Sequence, residues 1–189
     1  QCFDSMFSDD VLVSVRSSTV GIRLEESEDS ADNPFAGMSD SFLYVRRDQV
    51  LDKIKLCWAS GFNSESLIYR KKQGFNLLGF GVAVGVQRMV AGERSFVLFT
   101  CNPNNLSKDA VLAAGYGIGE GIVQEKVPVD HYFRNYNTGE IRREIAVKNN
   151  MRTFDTKKGY GLELRSVDES LREKPCLTDE EITEIAQIG

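Results

Sequence analysis

Phe80-Gly81-Val82-Ala83-Val84-Gly85-Val86-Gln87-Arg88-Met89-Val90 is the stretch on which the fold turns. Valine occupies every second position and small residues fill the places between, up to Gln87. A period of two lays the valines along one face of a β-strand and the small residues along the other. Upstream the period is helical. Within Asp48 to Phe62, the residues Val50, Leu51, Ile54, Trp58 and Phe62 stand at offsets 0, 1, 4, 8 and 12, which predicts a helix with one apolar face. Asn63 or Ser64 is placed to cap a second helix through Tyr69-Arg70, stopped near Gly74. A helical hairpin covering a sheet is the expected local arrangement.

Working outward, Val11 to Val15 is a β-branched run that predicts a strand ending at Arg16. Ser41 to Val45, Phe96 to Phe99 and Val111 to Ala114 predict further strands. His131-Tyr132-Phe133, a turn at Asn137-Thr138-Gly139, and Ile141 to Val147 predict a β-hairpin. Thr178 with Glu181 three residues on is a capping box, opening a last helix that runs to Gly189. Between Ser17 and Asn33 the chain is polar and holds Glu25, Glu26, Glu28, Asp29 and Asp32, the pattern of a mobile loop. Strands and helices come in mixed order without an internal repeat. The expected class is α+β with a largely antiparallel sheet.

Composition bounds the function. The 189 residues are 41% hydrophobic, enough to bury a core. Twenty-three Lys+Arg against 28 Asp+Glu leave a net charge of −5, so a broad basic footprint for duplex nucleic acid is absent. No stretch reaches the ~18 apolar residues that span a bilayer. Neither nucleic acid nor membrane is therefore an expected partner. Asp4, Asp9 and Asp10 interrupt any leader-like run, and the opening Gln1-Cys2-Phe3 without Met suggests a piece of something longer. Cys2, Cys57, Cys101 and Cys176 are scattered with no C-x-x-C pair and one histidine, so no zinc or other metal site is expected. They read as separate thiols in a reducing, cytoplasmic compartment.

Chemistry-bearing patterns are few. No Ser/His/Asp set stands out, and His131, the single histidine, reads as structural or surface. No G-x-x-x-x-G-K-[ST] phosphate loop is present. Gly115, Gly117, Gly119 and Gly121 form G-x-G-x-G-x-G, which marks tight turns or backbone amides approaching a phosphate or a carbonyl. Arg16 ends a predicted strand and is followed by Ser17, Ser18 and a long segment closing on Gly37. A guanidinium with neighbouring hydroxyls and amides suits an anion. The competing reading is an arginine paired with one of the nearby acids.

Seven motifs together carry a resemblance. Val15-Arg16-Ser17-Ser18, Glu28-Asp29-Ser30-Ala31-Asp32-Asn33-Pro34-Phe35-Ala36-Gly37 and Asp40-Ser41-Phe42-Leu43 come first. Cys57-Trp58-Ala59-Ser60, Ile68-Tyr69-Arg70, Val84-Gly85-Val86-Gln87-Arg88-Met89-Val90 and Gly115-Tyr116-Gly117-Ile118-Gly119-Glu120-Gly121 follow in order. The chain resembles the nucleotide-binding domain of the phosphoenolpyruvate synthase and pyruvate phosphate dikinase family. That family includes rifampicin phosphotransferase and the glucan water dikinases.

The resemblance implies an ATP-grasp fold, with ATP between two lobes joined by a hinge. Residues 1–189 would be a fragment of one such domain: a first lobe over about 8–86, then the hinge and part of a second lobe over about 87–189. It implies a dikinase-type transferase in which ATP gives its β-phosphoryl to a histidine on a separate swivelling domain, releasing AMP and phosphate. A further domain passes the phosphoryl to pyruvate or another acceptor. ATP and Mg²⁺ are the implied cofactors. The alternative is a degenerate nucleotide-binding or regulatory module of the same family.

By motif, Arg16 would hold the ATP phosphates, Gly37 would end the phosphate loop, and Ser41 stands where the family usually has Thr. Gln87, Met89 and Val90 resemble the hinge that meets the adenine. Ser17, Ser18, Gly119 and Glu120 are weaker candidates, and no catalytic or metal-ligating residue is implied within the chain. Three departures stand out: the longer insertion Thr19 to Ser27, Met38 in place of Gln, and Gly61 in place of Leu. The family's Gly-Gly-Lys segment would precede Gln1. Its acidic Asp-Ile-Glu-Trp and Gln-Ala-Arg-Pro segments would follow Gly189.

Overall fold

The valine-and-glycine alternation forms β3 (Phe80–Arg88), which pairs with β1 (Val13–Gly21), itself paired with β2 (Ser41–Val45). The order is β2-β1-β3 and every ladder is antiparallel. The computed structural model describes residues 11–21, 40–77, 79–103, 105 and 107–189. The chain divides into two units, Gln1–Val90 with Asp155–Gly161, and Ala91–Phe154 with Leu162–Gly189.

In the first unit the register of β1 on β3 runs unbroken from Val13↔Arg88 to Gly21↔Phe80. One sheet face carries Val13, Val15, Phe42, Val45, Val84 and Val86 against α1 (Val50–Ser60), whose Val50, Ile54 and Cys57 close the core. A 3₁₀ turn, Arg47–Gln49, leads into α1. The next helix, α2 (Ser64–Lys72), is capped by the Asn63 side chain, which accepts the Ser66 N–H at 2.8 Å, and ends before Gly74 at φ 72. Arg70 of α2 is fully buried. Its guanidinium donates to the Asn76 carbonyl at 3.2 and 3.1 Å and lies 4.3 Å over the Phe80 ring, tying α2 to the start of β3.

Two local expectations change. Strand β1 does not stop at Arg16 but continues to Gly21, so Ser17 to Gly21 are sheet, not loop. Pairing with Phe80 to Val84 supplies their backbone hydrogen bonds, and that outweighs their polar composition. The remainder of the expected mobile loop, with Gly37 and Met38, lies outside the described residues. On α1, the expected stripe is only half right. Val50 and Ile54 face the sheet, but Leu51, Trp58 and Phe62 are 72%, 52% and 51% exposed while Cys57 and Ser60 are buried. Gly61 is one reason for this rotation, because a Cβ there would collide with Val82 and crowd the Phe80 ring. The absent side chain lets the end of α1 lie directly on β3.

In the second unit β4 (Arg94–Phe99), β5 (Asp109–Tyr116), β6 (Asp130–Asn135) and β7 (Ile141–Glu144) form an antiparallel sheet in that order. Helix α4 (Asp179–Ile188) covers one face, packing Ile182 and Ala186 on Ala110, Leu112, Ala114 and Tyr132. Its Thr178 and Glu181 make the expected capping box, and Glu181 also takes Arg94 at 2.7 and 2.9 Å. The hairpin β8 (Asn150–Phe154) with β9 (Leu162–Ser166) adds to the expected elements, and β7 ends at Glu144 rather than Val147. The buried Asp130 carboxylate accepts Lys148 Nζ at 2.6 Å, Tyr132 OH at 3.0 Å, and the Cys176 and Ala146 N–H groups at 3.0 Å each. Cys57, Cys101 and Cys176 are free thiols, and burial pushes the Cys176 thiol up to about 12. Cys2 lies outside the described residues. Among the described residues no helix is long and apolar enough to cross a membrane.

Candidate functional site

Residues paired directly across an antiparallel ladder point their side chains to the same side. With α1 covering the valine face, the opposite face of the first unit presents Arg16, Ser18, Val20, Ser41, Gly81, Ala83, Gly85 and Gln87. Arg16 is the centre of this set: its partners are Ser41 on β2 and Gly85 on β3. All of these but the half-buried Ser18 are exposed. Ser14 joins them from below. It is buried beside Gln87 and its hydroxyl donates to the Gln87 carbonyl at 3.4 Å.

What marks the β3 part of this face is its small residues. An antiparallel strand with one face to water carries polar residues at its outward positions, whereas β3 places Gly81, Ala83 and Gly85 there. A Cβ added at Gly81 would meet nothing within 4 Å, and at Gly85 its nearest neighbour would be the Arg16 carbonyl oxygen at 4.0 Å. Packing within the described residues therefore does not require glycine. Glycine in a strand also marks the approach of a ligand or another backbone. Arg16 makes no ion pair among the described residues, so its charge is available to an anion on the same surface.

The other candidates fall into distinct environments. The Ser17 hydroxyl donates to the Asp40 carbonyl at 2.8 Å. The Met89 N–H donates to the Leu12 carbonyl at 2.9 Å, which continues the β1–β3 pairing past Arg88. Val90 is 79% exposed and ends the Gln1–Val90 segment of the first unit. Gly37 lies outside the described residues. Gly119 and Glu120 belong to the second unit, in the short helix α3 (Gly119–Val123). The largely buried Glu120 carboxylate is held by Arg152 Nε at 3.2 Å and Lys126 Nζ at 3.7 Å.

The glycine run itself is a packing device in part. Gly117 has φ 83, and a Cβ there would strike the Arg152 carbonyl, which accepts the Ile118 N–H at 2.9 Å. A Cβ at Gly121 would press on the Arg152 side chain. Both glycines let β8 lie against the end of β5. Signals for the bare strip were present in the sequence as the small residues between the valines. Nothing local announced Ser14 as a neighbour of Gln87, since the two meet only through the β1–β3 register.

Comparison with known proteins decides the relationship. The profile of the pyruvate phosphate dikinase, AMP/ATP-binding domain matches residues 1–189. The chain belongs to this family. It is 35% identical over 188 residues to a phosphoenolpyruvate synthase of Pyrococcus furiosus, covering 96% of the chain and 22% of that protein. It is 35% identical over 184 residues to a probable phosphoenolpyruvate synthase of Methanocaldococcus jannaschii, with 96% and 15% covered. With the rifampicin phosphotransferase of Bacillus subtilis the identity is 34% over 187 residues, with 98% and 21% covered. The chain thus spans about a fifth or less of the length of these curated relatives. The matched AMP/ATP-binding domain includes both units, so every candidate above lies inside it.

Proposed function

We propose that this chain is the ATP-holding part of a dikinase-type phosphotransferase with ATP-grasp architecture. Its first lobe is residues of about 8–86, and the hinge with part of a second lobe is about 87–189. The observation that carries the reading is the cross-strand placement of Arg16 with Ser41 and Gly85 on an uncovered sheet face of an AMP/ATP-binding family member. Arg16 offers bidentate, charge-assisted bonds to a phosphate, and Ser41 adds a hydroxyl beside it. Gly81, Ala83 and Gly85 leave the strand backbone open to a flat ligand, and Gln87 provides an amide at the hinge end. Phosphoryl transfer depends chiefly on such positioning and on charge stabilisation.

In the proposed reaction ATP is cleaved to AMP and phosphate. Its β-phosphoryl passes through a histidine of a swivelling domain to pyruvate or another acceptor. The nucleotide is the direct partner; the histidine and acceptor domains are the partners in transfer, in a cytoplasmic enzyme. Mg²⁺ is proposed as the companion of ATP. Among the described residues no group of three or more His, Cys, Asp or Glu side chains could hold a metal ion.

Arg16→Ala in the natural polypeptide tests the reading. Losing a hydrogen-bonded charge contact contributes on the order of 1.5–3 kcal/mol, or roughly ten- to hundredfold in ATP affinity. Calorimetric titration should show that loss for ATP and little change for adenosine. Unchanged ATP binding in the variant would overturn the assignment of Arg16.

A further inference from the structure

The Cys57-Trp58-Ala59-Ser60 motif has no role in the nucleotide reading, yet two of its side chains converge on the residue next to Ser41. The Asp40 N–H donates to Ser60 Oγ at 3.0 Å, and Ser60 Oγ donates onward to the Cys57 carbonyl at 2.8 Å. The Asp40 carbonyl accepts Ser17 Oγ at 2.8 Å and Cys57 Sγ at 3.6 Å. Cys57 Sγ also reaches the Val15 carbonyl at 3.7 Å. Cys57 and Ser60 are both buried. The thiol stays protonated and able to donate, because burial and the Asp40 charge raise its pKa against the opposing effect of Lys53.

The geometry answers a local weakness. The β1–β2 ladder is short and bulged, and Arg16↔Ser41 is its last pair. Beyond that pair the Ser17 N–H lies 3.4 Å from the Asp40 carbonyl, at the outer limit of a hydrogen bond. A serine near a helix end ordinarily bonds back to its own helix. Ser60 does so and also accepts a main-chain N–H from another segment.

We propose that Ser60, supported by Cys57 and Ser17, is a positioning residue that clamps the Asp40 backbone and so keeps Ser41 opposite Arg16 for the phosphates of the nucleotide. The inference rests on the open face being the nucleotide surface. The clamp holds one end of β2 and leaves the β1–β3 register untouched, so its effect falls on the phosphate side and spares the nucleoside side near Gln87.

The test uses the natural polypeptide with Ser60→Ala, Ser60→Thr and, as a stability control in the second unit, Ser107→Ala. Amide exchange at Asp40 and calorimetric titration with ATP and with adenosine are measured. Ser60→Ala should accelerate exchange at Asp40 and weaken ATP about tenfold, the order expected for one hydrogen bond with its partner left unsatisfied. Adenosine should change by less than about twofold, since its contacts lie at the other end of the face. Ser60→Thr restores the hydroxyl and should restore ATP binding, while Ser107→Ala should leave the ATP-to-adenosine ratio unchanged. Should Ser60→Ala fail to fold, Cys57→Ala removes the donor on the carbonyl side and should show the same discrimination. Unchanged Asp40 exchange would overturn the clamp. Faster exchange with equal losses, or none, for the two ligands would overturn the positioning role alone. A wild-type protein that binds neither ligand would overturn the nucleotide reading beneath it.

Discussion

Replacing Gly85 by valine should make the protein more stable and worse at holding nucleotide. Gly85 sits in an unbroken ladder opposite Arg16, in extended backbone that any residue adopts. A Cβ built there has the Arg16 carbonyl oxygen at 4.0 Å as its nearest neighbour, so the folded state accepts the new side chain without strain. Glycine in a strand interior costs roughly 0.5–1 kcal/mol relative to alanine, because the unfolded chain has more freedom to lose. Valine adds a favourable strand preference on a scale spanning about 1 kcal/mol. The net gain is about 1 kcal/mol, which in a chain of 189 residues raises the melting temperature by roughly 2–4 °C. The same isopropyl group stands on the bare strip beside Arg16. Inserting methyl groups into a fitted contact costs about 1–3 kcal/mol, or roughly five- to hundredfold in affinity. Thermal melts and calorimetric titration with ATP measure the two effects on one sample. A stabilised variant with unchanged ATP affinity would refute the assignment of this face. A variant destabilised by more than about 1 kcal/mol would mean that the face is covered in the folded protein.

Two further substitutions probe the second unit. Gly117→Ala places a Cβ at φ 83 and against the Arg152 carbonyl, which also accepts the Ile118 N–H. Strain of about 1–3 kcal/mol and the weakening of that bond should lower stability by about 2–4 kcal/mol in urea unfolding, and a loss below about 0.5 kcal/mol would contradict the close-packing role. Lys148→Met leaves the buried Asp130 carboxylate without its cation, at a cost of about 3–5 kcal/mol. The Asp130 carboxyl lies below the usual range: burial raises it, but Lys148 and the Cys176 and Ala146 amides outweigh that. Its contribution is therefore complete above the unfolded value of about 3.9 and disappears as pH falls through the lower folded value. Removing Lys148 raises that folded pKa, so the deficit of the variant should narrow on acidification, and urea midpoints giving a constant deficit from neutral to acid pH would contradict the pairing.

Much of this protein is legible residue by residue. The valine spacing of Val82, Val84 and Val86 places one face of β3 against a core because a strand repeats every two residues whatever it pairs with. The caps at Asn63 and Thr178 can be recognised because a side-chain oxygen serves amides only two or three residues away. The seven ordered motifs identify the family for the same reason: each is a short run, readable without knowing its neighbours in space. The extent of β1 is different. Ser17 to Gly21 have a loop's composition and become sheet only because β3 supplies their partners from 59 to 67 residues away. The buried side of α1 is likewise a choice between two adjacent apolar stripes, made where Gly61 meets Val82. Gly117 and Gly121 read equally as tight turns or as amides near a ligand until β8, itself unsignalled, lies against them. Arg16 meeting Ser41, and Ser60 taking the Asp40 amide, follow from register and from a helix end touching a strand. Local periods and caps are properties of neighbouring residues along the chain. Pairing and burial are properties of segments distant in sequence, and they arise only when the chain has folded.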